Sequence, residues 1–208
     1  TMLREAGLSA YPVLIPTSDV YNLNPDFPSM LFNHAIACVK LGDELIFMDP
    51  TSETCGFGDL PTGDQGRNVL VFTPEKYLIE KTPLFPPEHN LSEQKLFIKI
   101  NPDETIQAKR EVVNYGVFAQ GQRYWLFYTQ PELVQQALKE KAQEISIGST
   151  LLGYKVINLE DLNTFITLQY DFKGTEYFTL AGDMRIMPQL AGIDTSIVAR
   201  EKRNYDID

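Results

Sequence analysis

The stretch FNHAIACVKLGDELIFMDPT, residues 32–51, constrains this chain more than any other. Two apolar runs flank Gly42-Asp43, a dipeptide suited to a two-residue hairpin turn. A turn there pairs His34 with Thr51 and Ile36 with Asp49. His34 and Asp49 then project from one face as diagonal neighbours, with Cβ atoms roughly 7 Å apart. An odd-length loop would place them on opposite faces. In the even register, Asp49 accepts a hydrogen bond from one imidazole nitrogen and leaves the other free as a base. The same spacing also suits a core histidine satisfied by a turn carboxylate, so both readings stay open. Ile36, Cys38, Leu45 and Phe47 make one hairpin face apolar, and Ala35, Ala37, Val39, Ile46 and Met48 make the other so. A sheet covered on both sides is therefore expected, and in it Asp49 needs a partner under either reading.

A base with an orienting carboxylate asks for a nucleophile, and the chain offers poor ones. Cys38 shares the His34 face but lies roughly 13 Å along the strand, among apolar neighbours that raise a thiol pKa. Cys55 falls in the glycine-rich stretch PTSETCGFGDLPTGDQGRN, where sequence does not place it. Ser18, Ser29 and Thr51 have no activating context. His89, in PPEHN, reads as part of a solvated linker. Two widely separated histidines and no clustered carboxylates give no metal site, and no cofactor is implied.

Composition removes whole classes of function. A formal charge of −10 over 208 residues argues against a nucleic-acid partner and against anionic membrane surfaces. No apolar run is long enough to span a membrane. Two cysteines make neither a disulfide framework nor a four-ligand zinc site.

The remaining elements suggest an α+β chain in two parts, residues 1–85 and 86–208. Met2, Leu3 and Ala6 have helical spacing, with Gly7 as terminator. Tyr11–Ile15 reads as a strand, as does VLVF at 69–72. The proline-rich KTPLFPPEHN marks the boundary. Beyond it LFIKI, TIQAKREVVNYGVF, YWLFYT, LLGYKVIN, TFITLQYDF, TEYFTL and DMRIM read as strands. PELVQQALKEKAQE is the one helix, with Leu133, Ala137 and Leu138 on one face. The second part is thus expected to be a mainly-β sandwich with one inserted helix. Because the chain opens on the end of a helix entering a strand, it is expected to be a piece of a longer protein.

Three motifs in order, TMLREAGLSAYPVLI, FNHAIACVKLGDELIFMDPT and GDLPTGDQGRNVLVF, resemble the second half of the transglutaminase-like (papain-like cysteine protease) core. The closer likeness is to its bacterial branch, in which that core is flanked by β-rich domains. The likeness covers about residues 1–73, and VINLEDLNTFITLQYDF with the closing VAREKRNYDID is similar to the β domain that follows such cores. It implies a Cys-His-Asp triad acting on the amide bonds of a peptide or protein substrate. The histidine falls on His34, the aspartate on Asp49, and the cysteine about ten residues before Thr1. This chain alone would then be inactive. The likeness also implies an exported or periplasmic setting, and leaves oligomeric state open. GDLPTGDQGR either lines the site or the junction between the two parts, or simply makes turns into VLVF. The competing function is a degenerate core whose β domain serves as a binding or scaffolding module. A further one is glycan or protein binding through the aromatic run YWLFY at 124–128.

Overall fold

The computed structural model describes residues 2–26 and 31–190, and within them the chain is α+β. A short helix α1 (Met2–Glu5) ends at Gly7, whose φ of +81° is the left-handed stop expected of it. It leads into β1 (Ser9–Ile15), β2 (His34–Leu41), β3 (Glu44–Met48), β4 (Asn68–Phe72) and β5 (Tyr77–Lys81). These form one antiparallel sheet in the order β3-β2-β1-β4-β5. The hairpin turns at Gly42, where φ is +63°, and Ala37 pairs with Met48 and Leu41 with Glu44. This is the register the two-residue turn predicts.

One face of this sheet carries Val13, Ile15, Ile36, Cys38, Phe47, Val69 and Val71, which pack with Leu60 into a buried cluster. The opposite face meets expectation only in part. Val39 and its cross-strand partner Ala10 are buried there, Ala37, Ile46 and Met48 are half-buried, and Ala35 is exposed. Within the described residues the hairpin is fully covered on one side and partly on the other.

After residue 91 come β6 (Ser92–Ile100), β7 (Ile106–Asn114), α2 (Gly116–Tyr128), α3 (Pro131–Gln143), β8 (Thr150–Ile157) and β9 (Ile166–Gly174). A small ribbon of β10 (Thr179–Ala181) and β11 (Met184–Ile186) follows. The second sheet has the order β6-β7-β9-β8. Its inward residues Ile106, Ala108, Leu168, Tyr170 and Phe172 pack on Val134, Leu138 and Ala142 of α3. The layer facing this sheet is therefore helical where the sequence suggested a second sheet.

The reason lies in 116–128, whose two ends, 116–118 and 124–128, read as strand from their aromatics. Ala119, Gln122 and Arg123 are buried and Leu126 half-buried, a three-to-four residue spacing that makes α2 a helix. Gly116 opens it at φ +53°, where a Cβ would stand 2.3 Å from Asn90 Oδ1 and 2.5 Å from the His89 carbonyl oxygen. Aromatic β-preference is a preference for packed surfaces, and here packing is satisfied helically. In α3 the buried stripe is Val134, Leu138 and Ala142; Leu133 is exposed. Among the described residues no helix is long and apolar enough to cross a membrane.

Candidate functional site

His34 opens β2 opposite Ile15, next to a fixed corner: the Thr17 N–H donates to Asn33 Oδ1 at 2.9 Å. Asp49 leaves β3 just before Pro50, where the chain must turn. Its Oδ1 accepts from the Thr51 backbone N–H at 2.9 Å and the Thr51 hydroxyl at 2.8 Å, a turn built by the aspartate's own side chain. This leaves Oδ2 facing His34 Nε2 at 3.1 Å. An ionised carboxylate only accepts, so the ring proton sits on Nε2 and Nδ1 keeps its lone pair. The Asp49 side chain is 5% exposed and that of His34 is 26% exposed. Burial alone would raise the Asp49 pKa. The two Thr51 bonds and His34 outweigh it, so the carboxyl stays below its ordinary range.

A third acid completes the group. The segment between β3 and β4 folds back through a 3₁₀ turn, Thr62–Asp64. Thr82 holds that turn, its hydroxyl donating to the Asp64 carbonyl oxygen at 2.6 Å and accepting the Arg67 N–H at 2.8 Å. The buried Arg67 side chain clamps the same segment to the first strand's exit. Its Nε donates to the Pro16 carbonyl and its Nη2 to that of Val20, each at 2.7 Å. So anchored, Asp64 is only 2% exposed and stands beside Asp49. Its pKa is pushed up to about 6, first by burial and then by the negative charge of Asp49, which His34 offsets in part.

That shift has a consequence for stability. In the unfolded chain Asp64 loses its proton near pH 4, but in the fold it keeps it to about pH 6. Its contribution is complete below the unfolded pKa and is lost as pH rises through the folded one. Asp64→Asn, which cannot ionise, should match the parent near pH 4. Above pH 7, in chelator-treated buffer, it should be more stable by up to about 3 kcal/mol. Urea denaturation at the two pH values checks this, and parallel behaviour of the two proteins would contradict it.

Of the sequence candidates, the fold brings His34 and Asp49 together and leaves the thiols apart. Cys38 is fully buried, and burial pushes its pKa up to about 11. Cys55 is half-buried and its Sγ accepts from the Ser52 hydroxyl at 3.0 Å. Burial, followed by the charges of Asp59, Asp49 and Asp64, pushes its pKa up to about 11 as well. Neither thiol is poised as a thiolate. Ser29 and the closing VAREKRNYDID lie outside the described residues.

Three expectations need correction. Carboxylates do cluster beside a histidine: Asp64 is 15 residues beyond Asp49, and only the anchored 3₁₀ turn returns it to the hairpin's mouth. No periodicity could reveal it. His89 is not merely solvated, since its Nε2 meets Asp59 Oδ1 at 2.7 Å and its ring stacks on Phe85. The run at 124–128 is the last turn and a half of α2. Trp125 and Leu126 pack on the core there while Tyr124, Phe127 and Tyr128 are exposed. Comparison of this chain with family models, curated proteins and solved structures yields no match.

Proposed function

We propose that this chain is the C-terminal part of a transglutaminase-like cysteine peptidase or amidase. In this reading His34 is the base, Asp49 its orienting carboxylate, and the nucleophilic cysteine lies before Thr1. The observation that carries it is the 3.1 Å contact of His34 Nε2 with an Asp49 carboxylate whose other oxygen is held by two Thr51 donors. Asp49 fixes both tautomer and ring orientation, and Nδ1 has no hydrogen-bond partner among the described residues. The Nδ1 edge is thus the one available to a thiol.

The chemistry follows from those positions. Nδ1 takes the proton of the cysteine thiol, and the thiolate attacks the carbonyl carbon of a peptide or protein amide. The imidazolium, stabilised by Asp49, returns that proton to the departing amine, leaving a thioester. Water or a second amine then resolves the thioester. The alternative, a degenerate core serving as a binding module, draws support from the exposed Tyr124, Phe127 and Tyr128.

The test uses the protein extended upstream of Thr1. A cysteine about ten residues before it is expected, and iodoacetamide should alkylate that thiol well below the ordinary thiol pKa of about 8.5. Serine, alanine or glycine at that place would sink the peptidase reading in favour of the binding module. So would a thiol whose alkylation follows an unperturbed titration.

A further inference from the structure

We propose that His34, Asp49 and Asp64 form a binding site for a divalent cation of the zinc class. One ring nitrogen of His34 and one carboxylate oxygen from each aspartate lie within 4.8 Å of one another. Asp64 is almost wholly buried, and its Oδ2 has no hydrogen-bond partner among the described residues. Such an oxygen has lost its water without gaining a donor, a deficit that a proton or a cation removes. No lysine or arginine among the described residues supplies that positive charge. Among the described residues, the only ion-pair partner of either aspartate is His34, on Asp49.

The spacing suits a small ion. His34 Nε2 and Asp49 Oδ2 are 3.1 Å apart. Zinc bonds of 2.0–2.1 Å at tetrahedral angles set neighbouring ligand atoms about 3.3 Å apart. The pair is close to that separation, and a tilt of the imidazole turns its Nε2 lone pair from Oδ2 toward an ion that Asp64, within 4.8 Å, also reaches. The partly exposed His34 side chain leaves the fourth to water. One imidazole nitrogen with two carboxylate oxygens fits zinc or cobalt(II), whereas calcium takes six to eight oxygens. The ligands come from the start of β2, the exit of β3 and the 3₁₀ turn, so a bound cation ties the 50–67 segment to the sheet.

The proposal stands apart from the peptidase reading, because the cation replaces the His34–Asp49 hydrogen bond and needs no cysteine. In a protein that has both properties, the loaded form would have its base withdrawn.

Cobalt(II) titration of the EDTA-stripped protein tests it. Visible d–d bands of tetrahedral intensity should saturate near one equivalent and disappear when zinc is added. Zinc should also raise the thermal midpoint, since it binds only the folded chain. Asp64→Asn and His34→Gln should each weaken cobalt binding by about tenfold or more, with unchanged circular dichroism. Cys55→Ser and His89→Gln should bind as the parent does. Two outcomes overturn the site: no bands with no thermal shift, which assigns a shared proton to the two carboxyls, or bands that survive Asp64→Asn and His34→Gln.

Discussion

Replacing Arg123 by leucine should lower the unfolding free energy by about 3–5 kcal/mol. Arg123 is only 1% exposed, yet among the described residues it pairs with no carboxylate in direct contact. Its guanidinium instead donates to four backbone carbonyls. Nε reaches that of Leu159, and Nη2 reaches those of Asn158, Asp161 and Thr164, at 2.7–3.2 Å. These oxygens belong to the loop between β8 and β9, which has no ladder of its own, so one side chain on α2 serves as its interior. Burial lowers the Arg123 pKa while Asp161 and Asp59 oppose the drop, and an arginine remains charged throughout. Leucine fills much of the space but strands four acceptors, each without its donor. Lysine keeps the charge but lacks the planar fork, and should recover only part of the loss. Urea denaturation of the three proteins measures this. A loss under about 1 kcal/mol for leucine would show that water reaches those carbonyls.

The second large effect is kinetic and applies to the upstream-extended protein under the peptidase reading. His34→Ala should reduce kcat by about 10²–10⁴-fold, the range general acid–base catalysis supplies. Asp49→Asn should reduce it less, because the amide still accepts from the ring through its carbonyl oxygen yet no longer stabilises an imidazolium. The split between constants separates this role from a structural one: kcat should fall in both variants while KM stays near the parent's. Unaltered kcat in His34→Ala with a normal fold would end the assignment of His34 as base.

The hairpin was legible because its information is local. Two apolar runs, an even spacing and a Gly-Asp turn together fix a register, and register fixes the face on which His34 and Asp49 meet. The same holds for α1 with its glycine stop and for α3 with its proline start. The second helix escaped for an equally physical reason. In 116–128 aromatic content outweighs a weak apolar stripe whose buried members include Gln120, Gln122 and Arg123, polar residues that announce a core position only once their partners are known. With strands expected at both ends of that segment, a sheet with a helical cover becomes an expected sandwich.

What this sequence by itself determined is the 34–48 hairpin with its register, the α+β class and the pairing of His34 with Asp49, since each follows from short-range pattern and turn chemistry; the sheet order and β5 do not. The tertiary structure alone decided what stands beyond that pair. Asp64 reaches Asp49 only because Arg67 and Thr82 pin an irregular segment by bonds to the backbone of Pro16, Val20 and Asp64 itself. Burial then gives its carboxyl an affinity for protons that no tripeptide context confers. Such long-range hydrogen bonds leave no periodicity in the chain, and desolvation is a property of the assembled core.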